Sequence, residues 1–480
     1  MTRMQPTSLL TRILIPLLLI PLLAGSGAAA LTGSTHPVEL ALQAAARELA
    51  AGSPLIASEK VAEAAQHLPG RADLWELAGQ YALQGDDPSL ARSYFEKGIA
   101  AGRLSPEGLA GLGDASLLLG DPVAAAEAWQ AAILTGEPST ELYEKLTGTY
   151  RSTGDFPAAS DSLKALASLH PDQARYPYEL GLLYAAWNPE SALAPLALAA
   201  ELDPALRSNT QVLERTIRTA RLEGDPVFML VASGRGLASL DEWALAAEAF
   251  RRATEANPGY AEAWAFLGEA QGHLDKDSLP ALERALNLNP DSVAANGFLA
   301  LYWQRKERFD LALVYLDTAA GLEPENPVFQ AETGNSLAAL GQMENAREHY
   351  QRAVELAPRD PQYWRSLANF SIKYEVEVRE TGLPAARQAV LLDPEEPASL
   401  DAMAQVLTLL GDPASAERFL ARALQFDPGY VPARIHLGLV HIFRDEPELA
   451  RIQLDLARSL APAGSAEAEH ARRLLEIYFP

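Results

Sequence analysis

The sequence predicts an all-α fold, a right-handed solenoid of about ten or eleven tandem helix–turn–helix units, each buried only against its neighbours. Three observations carry that expectation. The chain has 480 residues, too many for one simple core, and it is dominated by alanine and leucine with only 7% aromatic residues, which favours repetition of a small unit. Prolines then fall at Pro258, Pro290, Pro324, Pro358, Pro394, Pro428 and Pro462, at spacings of 32, 34, 34, 36, 34 and 34 residues. Each follows an apolar-periodic run such as HYQRAVELAP or RFLARALQFDP, where proline ends a helix because it lacks an N–H and restricts the residue before it. Residue size, finally, is locked to the same period. Counted from Pro327, Gly334 stands at position 8, Ala346 at 20, Tyr350 at 24 and Ala353 at 27. The unit from Pro397 repeats this with Ala416, Leu420 and Ala423, and the unit from Val431 with Leu437, Gly438, Ala450, Leu454 and Ala457. Small residues where helices approach and large ones where space must be filled make a packing pattern.

These positions resemble the tetratricopeptide repeat family, whose pattern runs W-x2-L-G-x2-Y and then A-x3-F-x2-A-x4-P. Trp264, Leu267 and Gly268 match it in one unit, Leu146 and Tyr150 in another, and Leu180, Gly181 and Tyr184 in a third. Looser matches are Trp75, Gly79, Ala91 and Phe95, then Leu112, Gly113, Ala125, Trp129 and Ala132. The resemblance spans residues 72–464. It implies a protein that binds protein or peptide segments in a groove lined by the first helices of its repeats.

In chain order, residues 1–30 read as a signal peptide: Arg3 and Arg12 precede an apolar run over 13–23, and Ala28 and Ala30 are small enough for the −3 and −1 sites of a peptidase. Cleavage after Ala30 is expected, with an uncleaved anchor as the alternative because residues 9–31 are apolar enough to span. The protein is therefore expected to be exported, periplasmic or secreted, and to touch a membrane only if that segment stays. Residues 31–71 are helical by composition but lack the signature, as an N-terminal half-cap or eroded repeat would. Residues 72–206 form a first repeat array. Residues 207–226, including QVLERTIRTARLEG, supply one helix with no partner and are expected to be an irregular insert. A second array covers 227–464, and SAEAEHARRLLEIYFP at 465–480 is expected to be a capping helix with a polar outer face.

Charge and composition exclude several functions. A formal net charge of −24 repels phosphate backbones and anionic lipid, so neither nucleic acid nor a membrane surface is an expected partner. The absence of cysteine removes disulfides and thiolate ligands. His436 and His441 are five residues apart, on different helical faces, and Asp275 and Asp277 lack the glycine and glutamate that would complete a calcium loop. GLGDAS at Gly111 lies inside a repeat's first helix and cannot cradle a phosphate, and TGNSLA around Ser336 lacks the second glycine of a nucleophile elbow. Of seven tryptophans, Trp75, Trp129, Trp264, Trp303 and Trp364 occupy core slots, and Trp187 and Trp243 have no assigned role. No catalytic residue, metal, cofactor or small-molecule substrate is expected.

The groove remains. The family resemblance implies that positions 2, 5, 9, 12 and 13 of each first helix face the ligand. In the first three clear units these include Asp73, Glu76, Glu107, Asp114, Glu141 and Glu144, with Arg151 as the one base, which predicts a negative stretch. In the unit opening at Pro361 they include Arg365, Asn369 and Lys373, a stripe at i, i+4 and i+8, preceded by Arg305 and Asn335 at positions 13 and 9 of the two units before. That stretch is expected to be positive and hydrogen-bonding, suited to a carboxylate or acidic segment, although Asp401 and Gln405 in the following unit do not continue it. The 36-residue unit carries YEVEVRETG where a tight turn would suffice, and such insertions map to loops, often on a binding face.

Overall fold

The computed structural model describes residues 35–479, which form 26 α-helices and no strand. The targeting segment expected at 1–30 lies outside the described residues, and no described helix is long and apolar enough to cross a membrane. The chain divides into two compact units, one reaching Leu169 and one starting at His170.

The first unit holds four helical hairpins: α1 (Thr35–Ala50) with α2 (Pro54–His67), α3 (Ala72–Gln84) with α4 (Pro88–Ala101), α5 (Pro106–Leu118) with α6 (Pro122–Thr135), and α7 (Thr140–Thr153) with α8 (Phe156–Leu169). The second opens with α9 (Arg175–Trp187) and α10 (Pro189–Leu202), followed by the single helix α11 (Arg207–Glu223). Next come α12 (Pro226–Ala238) with α13 (Trp243–Ala256), α14 (Ala261–His273) with α15 (Leu279–Leu288), and α16 (Val293–Arg305) with α17 (Phe309–Leu322). The remainder are α18 (Pro327–Ala339) with α19 (Met343–Leu356), α20 (Pro361–Tyr374) with α21 (Leu383–Leu392), α22 (Pro397–Leu409) with α23 (Pro413–Phe426), α24 (Val431–Phe443) with α25 (Pro447–Leu460), and a final single helix α26 (Ala466–Tyr478). Twelve hairpins form, more than the ten or eleven expected, because residues 35–67 make a complete hairpin despite lacking the signature. Its core is alanine-rich, with Ala57, Val61, Ala64 and Ala65 buried.

Several hairpins close on one small-to-large contact. A Cβ added to Gly79 would stand 2.8 Å from the Phe95 ring, to Gly113 2.3 Å from Trp129 Nε1, to Gly234 2.5 Å from Phe250, and to Gly438 2.8 Å from Leu454. Phe95, Trp129 and Phe250 are among the largest fully buried side chains, so the missing methyl on the first helix is the slot for the ring on the second. In the α5–α6 and α22–α23 hairpins the turn is set by a left-handed residue followed by an aspartate cap. Gly120 and Gly411 adopt φ of +77° and +79°, and Asp121 and Asp412 accept from the backbone N–H of Ala124 and Ser415 at 3.1 and 3.0 Å, each with proline at the first helical position.

Neighbouring hairpins are tied by a second recurring contact. The carbonyl of the proline that follows a second helix accepts from position 4 of the next first helix: Trp264 Nε1 to Pro258 at 2.9 Å, Asn296 Nδ2 to Pro290 at 3.0 Å, Trp364 Nε1 to Pro358 at 2.9 Å, and Arg434 to Pro428 at 2.6 Å. An indole, an amide and a guanidinium satisfy the same helix-end carbonyl.

Two irregularities interrupt the series. Helix α11 buries Thr210, Leu213, Ile217 and Ala220 against α10 and α12, with Leu213 fitting beside Gly236, where a Cβ would approach it to 2.9 Å. Helix α12 nonetheless reaches α9, where Ser233 Oγ donates to the Ala185 carbonyl at 2.7 Å. The two extra residues after α20 do not form an open loop. Glu375 and Glu377 take φ of 53° and 45°, residues 378–382 make one π-helical turn, and Val376 and Val378 pack against the core beneath.

Gly113→Ala is expected to lower stability by about 1–3 kcal/mol, because the rigid Trp129 ring fills the space a methyl needs. Gly148→Ala, an exposed helical site with nothing within 4 Å of the added Cβ, is expected to raise it by about 0.5–1 kcal/mol. Chemical denaturation midpoints of the two variants, read side by side, check both signs.

Candidate functional site

In the first unit the acidic residues expected to line a negative stretch are in part engaged by neighbours. Asp73 is held by a bidentate Arg71 at 2.6 and 2.7 Å, and that hydrogen bond keeps its carboxyl below the usual range. Glu76 turns toward the start of α5, accepting from Ser105 N–H at 2.9 Å and Ser105 Oγ at 2.5 Å, and it occupies the space beside Gly108. Asp114 accepts from Trp129 Nε1 at 3.0 Å and from Lys145 at 2.8 Å, and Glu141 meets the same Lys145 at 2.9 Å. Burial works against the Lys145 ammonium, but its bonds to Asp114 and Glu141 outweigh it and hold its pKa above the ordinary value. Glu107 and Glu144 stay at the surface. Lys145 falls at position 6, outside the positions that the resemblance assigns to the groove, which is why a reading confined to those positions counted Arg151 as the one base there.

In the second unit Arg305 and Asn335 serve neighbouring helices. The Arg305 guanidinium reaches back from α16 to Glu269 of α14 at 3.2 and 3.3 Å, over Gly272, where a Cβ would lie 2.9 Å from it. Glu269 is buried and also meets His273 Nε2 at 3.1 Å, and His273 in turn stacks on Trp243 with centroids 3.5 Å apart and planes 3° from parallel. Trp243, unassigned from sequence, thus closes a chain of contacts running to Arg305. Asn335 accepts a short hydrogen bond from the Tyr350 hydroxyl and donates to Glu332 at 3.0 Å.

The stripe on α20 is more open. Asn369 and Lys373 are exposed, with the Lys373 ammonium 5.3 Å from the Tyr374 ring centroid. Arg365 is half-buried and donates to Ser399 Oγ of α22 at 3.3 Å. Beside it, Asp401 is 4% exposed and accepts from His436 Nδ1 of α24 at 2.6 Å and from Gln405 Nε2 at 3.2 Å. Burial pushes the Tyr430 phenol well up, with Asp401 adding to the shift and Arg365 opposing it. Arg365, Ser399, Asp401, Gln405 and His436 therefore form one polar surface across three successive first helices, with Asn369 and Lys373 extending it along α20. The Asp401–His436 contact was not foreseen, because its members lie 35 residues apart and at positions 5 and 6 of their helices. Among the described residues no group of His, Asp or Glu is arranged to hold a metal ion.

Comparison with known proteins gives the class. Tetratricopeptide repeat models match residues 76–140, 231–274 and 305–370, so these segments are tetratricopeptide repeats. The chain is an all-α solenoid of tandem helix–turn–helix repeats. Among solved structures it is similar to yeast Tom70, with 15% identity, 93% of this chain and 96% of that one covered, and a TM-score of 0.42. It is also similar to a tetratricopeptide repeat protein from Parabacteroides merdae, with 15% identity, 51% and 97% covered, and a TM-score of 0.42. A third is YrrB, described as having an unusual peptide-binding site, with 20% identity, 40% and 98% covered, and a TM-score of 0.29. No curated protein matches.

Arg305→Leu is expected to cost more stability than Glu269→Leu, about 2–3 against about 1 kcal/mol. The first strands a buried carboxylate, whereas the second frees a guanidinium that is 40% exposed and can rehydrate. Denaturation of both variants at equal ionic strength checks the order. Burial also depresses the imidazole pKa of His349, and that of His470, where His436 and Arg473 add to it. The unfolded chain then takes up protons that the folded chain does not, so stability is expected to fall as pH drops through about 6.5. A His349→Gln/His470→Gln variant should show a shallower loss between pH 7.5 and 5.5.

Proposed function

We propose that the protein is a non-catalytic scaffold that binds an acidic or carboxylate-bearing segment of a protein partner on the first-helix faces of its second unit. The observation that carries this reading is the α20 stripe. Arg365, Asn369 and Lys373 share one helical face, Asn369 and Lys373 are exposed, and half-buried Arg365 has one 3.3 Å hydrogen bond that a carboxylate would replace with a stronger, charge-assisted one. Arg305 and Asn335 belong to the supporting framework in this reading, since their polar groups are already engaged. Of the acidic residues of the first unit, Glu76 and Asp114 act as ties between repeats.

The N-terminal pattern around Arg3, Arg12, Ala28 and Ala30 supports export, with cleavage after Ala30. N-terminal sequencing of the native protein should begin at Leu31, and an intact Met1 would mean an anchor instead. A second reading, an accessory subunit of a cell-envelope enzyme, assembly or secretion complex that docks through outer surfaces, is favoured by one feature. Leu449, Ile452, Leu456 and Leu460 form an exposed apolar row on α25.

Affinity capture with the native chain and with an Arg365→Glu/Lys373→Glu variant of equal helicity separates the two. Loss of a partner from the variant supports the first-helix site, with an expected weakening of at least about tenfold. Identical partners on both chains place binding elsewhere.

A further inference from the structure

Helix α11 is the one helix between hairpins, and its solvent side has a charge opposite to that of the protein. Its buried side is Thr210, Leu213, Ile217 and Ala220. At about 100° per residue the opposite side carries Arg207, Gln211, Arg215, Arg218 and Leu222, all exposed, and no acidic residue. The two glutamates of the helix lie off this face: Glu214 is folded in beside Arg218 at 2.9 Å with its side chain 13% exposed, and Glu223 is in the last turn. Among the described residues neither Arg207 nor Arg215 has a carboxylate partner, and Arg218 is 62% exposed despite its own. From Arg207 to Arg218 the row extends about 17 Å. Leu222, 86% exposed, sits at its C-terminal end.

A row of arginines on a chain of net charge −24 is not needed for solubility, and neither hairpin packing nor the α20 stripe uses it. We infer that this face of α11 is a docking surface for an acidic helical segment of a partner protein, with carboxylates at i, i+8 and i+11 meeting Arg207, Arg215 and Arg218 and an apolar residue at i+15 covering Leu222. Charge complementarity selects the occupant, and the size of the row limits it. A membrane or a nucleic acid would extend beyond three helical turns and meet the carboxylates of the flanking segments, Glu190, Glu201, Asp203 and Asp225, of which Glu190 already pairs with Arg221 at 3.4 Å. A short acidic helix fits inside the basic row. The surface is separate from the α20 stripe and stands whether or not that stripe binds anything.

The test uses the full chain and a fluorescent helical peptide of about 18 residues with glutamates at i, i+8 and i+11 and a leucine at i+15. Arg207→Gln/Arg215→Gln/Arg218→Gln removes the row without altering helix propensity, and Arg284→Gln/Arg359→Gln/Arg387→Gln removes the same charge from exposed sites elsewhere. The expected result is binding by the native chain that weakens at least about tenfold in the α11 variant and less than about twofold in the control, and that is unchanged in Arg365→Glu/Lys373→Glu. No binding by the native chain, or equal loss in both triple variants, overturns the inference. Stronger α11-dependent binding to phosphatidylglycerol vesicles or to a single-stranded oligonucleotide than to the peptide also overturns it, in favour of those anions.

Discussion

The contact between a glycine on the first helix of a hairpin and a large side chain on the second is what the rest of the structure depends on. Where Gly79 meets Phe95, Gly113 meets Trp129 and Gly234 meets Phe250, the absent Cβ lets one helix approach the other closely enough for a ring to seat against bare backbone. Dispersion falls off steeply with distance, so a gap of even one methyl would forfeit much of that contact. The approach fixes how each first helix is rotated, and that rotation decides which of its residues face the neighbouring hairpin and which remain open.

The fold class was legible because its determinants are local and periodic. Proline after the second helix and the glycine-to-aromatic spacing both lie within one unit, so a single pass along the chain finds them. The site was less legible because its determinants join different units. Arg305 with Glu269, Lys145 with Asp114, and His436 with Asp401 are contacts between residues 31 to 36 apart, created only when hairpins stack. Reading one helix at a time makes Arg305 and Asp114 look like groove lining and misses Lys145 and His436 altogether. Stacking turns most of them into cross-repeat ties and leaves the α20 stripe as the exception.

Chemical identity is also a poor guide where a carbonyl sets the requirement. The helix-end carbonyls of Pro258, Pro290, Pro358 and Pro428 accept from tryptophan, asparagine, tryptophan and arginine. What the position demands is a donor on an arm long enough to reach back six residues, and several side chains supply it. A signature built on tryptophan alone would pass over half of these units, although the physical interaction is the same in all four.

The π-helical turn at 378–382 has a consequence for how such a chain can change over time. Two residues beyond the usual period are taken up between Glu375 and Gly382, with Arg347 reaching across from α19 to hold Glu377 at 2.9 Å, and the next proline again follows a completed helix. Since each hairpin packs mainly on its immediate neighbours, a length error absorbed within one turn is invisible to the units beyond it. An insertion that would shift the register of a β-sheet throughout is here a local scar, so the array can gain or lose residues at its turns while the surfaces on either side evolve independently.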